Sequence, residues 1–508
     1  MTSKAGVPPG TGGQREPRDG AGDATGAGTT ADAERGRQPG AAGAGVRAEG
    51  PAESRIGGKR LAGFVATNIG ASVAFTAMYA TQPVLPQIGA EFNVGAAQAG
   101  LTLLSVTFGL AFASLGAGRL ADRFGSRRVM LVCSAALTVL CYLVAAAPAF
   151  WLLVGLRAAQ GLVVPGITVA GLAYLHNELP ASWRGRVSGF YISANTIGGL
   201  LGRLGVGLSV LAIGWRGGLL LVAFAATAGM VVLAVGMPRG EGVLTDQRGR
   251  AQLAGRVQHA PTTQQPDADM RRGALRMPAT GLRTPSSHLV NARPGEGAAA
   301  TREQPVAFRD VARRLWWAPL IGGTVFFPFL TVFTYTPYRL ENAPFNLAAS
   351  VTSLVYLVYV LGAVASPLAG QLSDRIGRRP AIWGGLVVST LGLALSLVSS
   401  LPLAIAALGM VCVGSLSAHV VANASVSDSA NPLGAHARAT ALSLYTLGFY
   451  LGGGLGSFIP GYGWERFGWP GVLAPCAIAV SAAAVMALKT PARRLRTPPE
   501  PLAPLDVP

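Results

Sequence analysis

Twelve apolar runs dominate the sequence, near residues 61–82, 98–118, 129–147, 150–174, 188–213, 217–237, 317–336, 350–371, 381–399, 402–424, 440–461 and 470–488. Most come close to the ~20 residues that a helix needs to cross ~30 Å of hydrocarbon. They lack the strict alternation of an outer-membrane barrel. Only 13% of the residues are charged, against about a quarter in an ordinary soluble chain, so a soluble protein is excluded. The expected fold class is an all-α membrane protein with twelve transmembrane helices in two six-helix halves.

Three stretches are different material. Residues 1–55 are rich in Gly, Ala, Pro and charged residues with almost no large apolar side chain, too little to offset the entropy of ordering. They are expected to form a disordered tail, and with no apolar h-region the first span itself must target the chain. Residues 238–314 place Arg248, Arg250, Arg256, Arg271, Arg272, Arg276, Arg283 and Arg293 among Pro, Gly, Thr and Gln, the composition of a disordered linker. A Pro-rich tail covers 491–508. The halves are therefore 56–237 and 315–490. Cys133, Cys141, Cys412 and Cys476 lie singly in apolar runs and read as small core residues, with no disulfide framework, metal site or cofactor indicated.

The formal charge of +18 invites a nucleic-acid reading, which its distribution opposes. Arg119, Arg123, Arg127 and Arg128 follow the second run, Arg184 and Arg186 the fourth, Arg375, Arg378 and Arg379 the eighth, and Arg438 the tenth, whereas the opposite loops offer Arg216, Arg339 and Arg466. The positive-inside rule then puts both termini and the linker in the cytoplasm. Acidic residues interrupt the basic ones in the linker, so no nucleic-acid partner is expected.

The two halves repeat one another. Gly118-Arg-Leu-Ala-Asp122-Arg123-Phe-Gly125-Ser-Arg127-Arg128 recurs as Gly370-Gln-Leu-Ser-Asp374-Arg375-Ile-Gly377-Arg378-Arg379 at an offset of 252. Gly198, Gly199 and Gly202 recur as Gly452, Gly453 and Gly456, and Gly214-Trp215-Arg-Gly217 as Gly468-Trp469-Pro-Gly471, at an offset of 254; Glu178 has a counterpart in Asp428. Matches so close to one period imply a duplicated bundle with its pathway between the halves.

On these motifs the chain resembles a major facilitator superfamily transporter over about residues 60–490. Arg157-Ala-Ala-Gln160-Gly161 matches a second motif of that superfamily. Tyr79-Ala-Thr-Gln82-Pro83-Val-Leu-Pro86 and Ser193-Ala-Asn195-Thr-Ile-Gly198-Gly199-Leu-Leu-Gly202-Arg203 are similar to the bacterial efflux branch related to acriflavine-resistance and proposed sugar-efflux permeases, although the Gly-Pro step of the antiporter motif is lacking. The resemblance implies a monomeric secondary transporter of a bacterial inner membrane that works by alternating access, exporting a small molecule coupled to proton entry. A membrane sensor that kept the fold is the alternative.

The repeated motif has its own physics. Gly118 and Gly370 are expected where helices approach closely, Gly125 and Gly377 where the backbone adopts a geometry other residues resist, and Asp122 or Asp374 as counter-charge to the neighbouring arginines. This cluster, with Glu178 and Asp428 as partners, is expected to lock the cytoplasmic ends together in one state and release them in the other. Arginines that only fix topology are the alternative, and topology alone would not demand the glycines or the aspartate.

An arginine in hydrocarbon costs roughly 2.5–3.5 kcal/mol even on the lenient insertion scale. Arg157 lies ~10 Å and Arg203 ~15 Å from the outer ends of their spans at 1.5 Å per residue, one depth near mid-membrane. The repeat carries Met410 and Ser457 near the corresponding positions, so the fold requires neither arginine. A transport role is weighed against capping of neighbouring carbonyls. His419 titrates in a range suited to proton carriage, or is a satisfied core histidine. Gln160, Asn195, Asn68, Gln82 and Asn423 are further candidates for the pathway or for interhelical glue. No Asp or Glu falls inside any apolar run. A neutral-to-positive pathway favours a neutral polar or anionic substrate over a lipophilic cation. Lys4, Lys59 and Lys489 lack P-loop context, which excludes an ATP-driven pump, and no nucleophile or metal cluster with ligand spacing points to an enzyme.

Overall fold

The computed structural model describes residues 58–179, 183–237 and 307–490, all within one unit spanning Ile56–Pro508. The expectations for the two tails and for residues 238–306 lie outside the described residues. Every regular element among those described is helical. In the first half these are α1 (Gly58–Tyr79), α2 (Leu85–Phe92), α3 (Ala96–Phe124), α4 (Ser126–Ala145), α5 (Phe150–Glu178) and α6 (Arg184–Gly236). The second has α7 (Phe308–Arg314), α8 (Trp317–Glu341), α9 (Ala349–Ser353), α10 (Tyr359–Ile376), α11 (Arg378–Leu395), α12 (Leu401–Ala430), α13 (Ala435–Phe467) and α14 (Trp469–Ala487). A 3-10 turn over Gln82–Val84 joins α1 to α2, and another over Leu354–Val358 joins α9 to α10.

Among the described residues, ten helical segments are long and apolar enough to span a membrane. One of them covers Arg186–Gly236 and breaks into two arms at Gly214, whose φ of 68° is non-helical. Its repeat, Gly468, has φ of 62° and separates α13 from α14. The shorter α11 opens on Arg378 and Arg379. Gly125 and Gly377 sit at φ of 85° and 96°, ending α3 and α10 and turning the chain directly into α4 and α11. Only glycine takes such angles without strain, as the motif predicted.

Three expectations need correction. Phe308–Arg314, read as linker, is helical and buries Val311. The helices outrun the apolar runs, so α8 continues through Arg339 to Glu341 and α13 through Glu465; carboxylates therefore do occur on span-forming helices. Gly118 and Gly370 are not at close helix contacts, since a Cβ at either position would meet nothing within 4 Å.

Within each half the repeated glycines pack the fifth helix on the first. A Cβ at Gly198 or Gly202 would run into the backbone of Ser72 or Thr76 in α1, and one at Gly452 or Gly456 into that of Gly323 or Phe327 in α8. Small residues allow such backbone-to-backbone approach, and dispersion supplies the attraction that lipid cannot.

The halves meet at the end opposite the loop motifs, termed here the far end. Gly100 lies against the backbone of Ser457, Gly461 against Ala97, and Gly207 against Ser353. The seam between α3 and α13 reaches inward to Gly454, which faces Thr107, Leu104 and Phe108. Toward the motif end, the hydrogen bonds and ion pairs formed by the described residues of the two motif copies stay within a half.

Candidate functional site

The end of α1 organises the buried polar groups. A helix leaves its last four carbonyls without i+4 donors, and Pro83, which has no N–H, sits in the 3-10 turn just beyond. Arg157 of α5, 1% exposed, supplies donors here. Its Nη1 donates to Ala77 O (2.8 Å) and to Gln160 Oε1 (2.7 Å), Nη2 to Met78 O, and Nε to Thr102 O in α3 (3.2 Å). Gln160 passes its amide on to Cys141 Sγ at 3.3 Å in α4. Arg157 thus ties four helices of the first half together. Of the two roles open from the sequence, this geometry is that of a carbonyl cap, with four hydrogen bonds from the guanidinium going to the protein itself.

Arg203, 2% exposed, approaches the same stretch from α6 and is built differently. Its Nε donates to Gln82 Oε1 (2.6 Å) and Nη1 to Gly199 O (2.7 Å). Three rings surround the guanidinium, with centroids 3.9 Å away for Tyr79, 4.5 Å for Tyr359 and 5.8 Å for Tyr356. Gln82 Nε2 in turn donates to Thr334 Oγ1 of α8 at 3.0 Å. The cage is shared, because Tyr79 and Gln82 belong to the first half and Tyr356, Tyr359 and Thr334 to the second. Among the described residues Arg203 has no carboxylate partner; aromatic faces and neutral acceptors hold its charge.

His419 lies in the second half, away from both arginines' bonded partners. Its Nδ1 is 2.8 Å from Tyr445 Oη, and that hydroxyl is 3.1 Å from His419 O. The assignment satisfying both contacts has Tyr445 donating to the carbonyl and Nδ1–H donating to Tyr445, which leaves Nε2 as an acceptor. The imidazole lies 4.3 Å from the Phe449 ring, itself stacked at 3.7 Å on Phe326. Asn195 Oδ1 is buried without a partner, and Asn423 is partly buried on the helix of His419. His176 meets Ser188 Oγ at 2.9 Å near the motif end.

At the motif end the two copies are alike in one contact and unlike in another. Arg127 Nε donates to Met237 O (3.2 Å), while Arg379, its repeat at the offset of 252, donates through Nη2 to Leu488 O and Thr490 O (2.7 and 2.8 Å). Each caps the end of its half's last helix, a favourable place for a cation. Arg378, which repeats Ser126, has no counterpart in the first half. It contacts Asp374 (3.3 Å), Asp428 (3.2 Å) and Ser373 Oγ (2.6 Å). Asp122 and Glu178 form no ion pair among the described residues, and Arg123 lies over Phe124. The cluster expected to lock the two inner ends together is, in this conformation, a set of contacts inside each half. Arg128 and Arg375 are exposed.

The far end holds residues the sequence reading passed over. Glu465 Oε1 of α13 accepts from Ala97 N at 3.0 Å, capping α3 from the other half. Gln87 Nε2 of α2 donates to Glu341 Oε2 at 2.9 Å, again across the halves. Glu91 is held within the first half by Arg216 at 2.7 Å and by Trp215 Nε1 at 2.5 Å. Glu341 and Glu465 fell outside the apolar runs and read as loop; Gln87 and Glu341 standing at the duplication offset of 254 was the available signal.

A sequence model described as the Major Facilitator Superfamily matches residues 67–342 and 342–506. The chain is 28% identical over 400 residues to the inner membrane transport protein YnfM of Escherichia coli, covering 78% of this chain and 83% of that one. It is 26% identical over 399 residues to the MFS-type transporter YybF of Bacillus subtilis, covering 78% and 86%. It is also 26% identical over 347 residues to the multidrug resistance protein Stp of Mycobacterium tuberculosis, covering 66% and 63%. Among solved structures, a bacterial homologue of the human lysosomal transporter Spinster, described as inward-facing and unoccupied, superposes with a TM-score of 0.56 at 16% identity over 85% of this chain and 93% of that one. The nucleoside transporter NupG gives 0.55 at 14% over 84% and 98%. At such identities these two likenesses bear on the fold.

Proposed function

The chain belongs to the Major Facilitator Superfamily and is a multi-pass membrane transporter rather than an enzyme, and from that premise we propose that it exports a neutral polar or anionic small molecule by alternating access, coupled to proton entry. One observation carries the alternating-access part of the reading. The halves are sealed at the far end by Gly100–Ser457, Gly461–Ala97 and Gly207–Ser353, while the bonds of the motif copies stay within each half; that is the contact pattern of one end state of a two-state transporter.

On this reading the two arms of α6 count as separate spans and α11 as another, giving twelve, with the motif end and both termini cytoplasmic by the arginine bias and the membrane a bacterial inner one. The protein acts as a monomer of the efflux branch related to acriflavine-resistance and sugar-efflux permeases, to which the multidrug name of Stp lends support. Gly118 and Gly370 face open space in this conformation, and on this reading they come together in the opposite state. The pathway runs between Asn195, Arg203 and His419, with Arg157 and Gln160 fixing the end of α1 that Arg203 contacts. His419 Nε2, left as an acceptor, is the group that would take a proton within the span.

The test is flux in proteoliposomes with an imposed pH gradient, using labelled neutral, anionic and cationic solutes. Gln82→Cys with Thr334→Cys, joined by a short bis-methanethiosulfonate, each thiolate displacing a methanesulfinate, in a background free of native cysteines, should stop all flux. Uptake of protons with solute exit is the expected stoichiometry. Flux that persists in the bridged protein, or cations carried in preference to anions, would overturn the reading.

A further inference from the structure

The far-end seam contains a carboxyl group whose surroundings do not suit its charged form. Glu341 ends α8, and Oε2 accepts from Gln87 Nε2 at 2.9 Å. Its other oxygen, Oε1, is buried without a partner, and so are Gln87 Oε1 and Tyr338 Oη one turn earlier on α8. Tyr338 is 8% exposed. Of these three oxygens only the tyrosine carries a hydrogen, and an ionised Glu341 offers acceptors alone. Glu341 is half-buried as a residue with its Oε1 fully enclosed, and holding a carboxylate there on one neutral hydrogen bond is more costly than holding the acid.

The charged groups nearby are committed elsewhere. Arg339, adjacent on α8, donates to Val398 O at 3.1 Å and lies over Trp469 and Phe345 at 4.5 and 5.4 Å. Arg216 on α6 is paired with Glu91 of α2. Arg203 is held by Gln82 and its tyrosines, and Tyr356 donates to Phe333 O at 3.2 Å. From α13, Trp464 packs on Tyr338 at 6.0 Å and Glu465 accepts from Ala97 N. The two seam carboxylates therefore differ in kind. Glu465 is exposed and sits at the N-terminus of α3, where negative charge is favoured; Glu341 has no such partner.

We propose that Glu341 is a proton-binding site completed by closure of the far end. The proton enters from the far side while the halves are apart and resides on the Glu341 carboxyl, whose single O–H becomes a donor toward one of the buried oxygens of Gln87 and Tyr338 when α2 docks on α8. Because the closed form binds the proton more tightly than the open form, closure is favoured as pH falls and lost as pH rises. A proton needs one acceptor, whereas a hard metal cation takes about six to eight oxygens, more than this seam brings together. The proposal rests on the alternating-access reading and adds to it the group that ties closure to protons.

Spin labels at Ala90→Cys and Ala348→Cys, both exposed on opposite sides of the far-end seam, would report its opening by pulsed electron resonance. The protein would be full-length, free of native cysteines, in lipid nanodiscs and without any solute, between about pH 4 and about pH 9, the range in which buried carboxylates titrate. Wild type should move from a long to a short distance as pH falls. Glu341→Gln should stay short throughout, and Glu341→Asp should keep the transition with a displaced midpoint. A pH-independent wild type, a transition that survives Glu341→Gln, or closure that follows sodium at fixed pH would overturn the proposal; the wild type and Glu341→Asp keep it testable if Glu341→Gln does not assemble. Pulsed-resonance closure without solute flux would instead sink the transport reading alone.

Discussion

The far end is sealed along two seams that the duplication makes equivalent, and they are built from opposite materials. Between α3 and α13 the contacts inward of the Glu465 cap on Ala97 N are small and neutral: Gly100 against Ser457, with Ser457 Oγ donating to Gly100 O at 3.2 Å, and Gly461 against Ala97. Between α6 and the α9–α10 segment, Gly207, the repeat of Gly461 at an offset of 254, meets Ser353. There Arg203 stands where the first seam has Ser457, caged by Tyr356 and Tyr359, where α3 carries Leu104 and Thr107 at the motif offset. Close approach at a glycine is common to both seams. The cation and its rings occur in one seam alone, which makes them the better candidates for chemistry.

The sharpest break between the seams is expected from charge. Replacing Arg203 by an apolar residue of similar length removes the cost of burying a cation without a carboxylate partner, which offsets the loss of the donor to Gln82 Oε1 and Gly199 O. Arg203→Met should therefore leave the far end closed, or close it further. Losing one partner of a buried charged contact costs about 2–5 kcal/mol, so binding and flux of an anionic solute should fall by well over tenfold. Ser457→Ala in the other seam should change neither. Spin-label distances at the far end and anion flux, measured on the same preparations, decide it. A far end that opens in Arg203→Met would make this arginine a latch and the seams functionally alike.

A smaller effect, of the opposite kind, is expected from the neutral seam. A Cβ at Gly100 meets the backbone of Ser457, whereas one at Gly207 meets the side chain of Ser353. Backbone cannot rotate away. Overpacking costs about 1–3 kcal/mol, which shifts a two-state equilibrium about 5- to 150-fold. Gly100→Ala should hold the far end open and slow turnover of every solute alike. Gly207→Ala should do so less and be restored by Ser353→Gly. Equal defects with no rescue would show that the second seam is as rigid as the first.

How much of this was legible beforehand follows from what a linear pattern can encode. The apolar runs specified the helices, and the repeat specified Gly125 and Gly377, whose positive φ no other residue takes easily. Tyr338-Arg339-Leu340-Glu341 reads as loop because its hydropathy falls, yet α8 carries on through it, since Arg339 stacks on Trp469 and Glu341 meets Gln87 across the seam. Depth along a span gave Arg157 and Arg203 the same standing. Only neighbours separate them, one with its donors on carbonyls and the other among rings from both halves. Tyr356 and Tyr359 were invisible as a cage because an aromatic residue in an apolar run looks like packing until its partner is known.

The smallest expected difference lies at the motif end, where the copies diverge at one residue. Asp374 is paired with Arg378 in this conformation at 3.3 Å, on a side chain 65% exposed, whereas Asp122 forms no ion pair among the described residues. If both acids serve mainly the opposite state, in which Gly118 and Gly370 come together, Asp122→Asn weakens that state alone. Asp374→Asn weakens both states, and the two losses partly cancel in the equilibrium between them. An exposed pair is worth about 0–1 kcal/mol, so the cancelled part is at most about fivefold. Asp122→Asn should therefore lower turnover more than Asp374→Asn does, with ligand affinity unchanged in both, and Asp122→Asn should raise thiol labelling of Leu120→Cys at the motif end. Ser126→Arg would give the first copy the counterpart of Arg378 and should bring the two aspartate variants closer together. A larger defect in Asp374→Asn, or weakened binding without a change in flux, would mean that the acids act on something other than the balance of states.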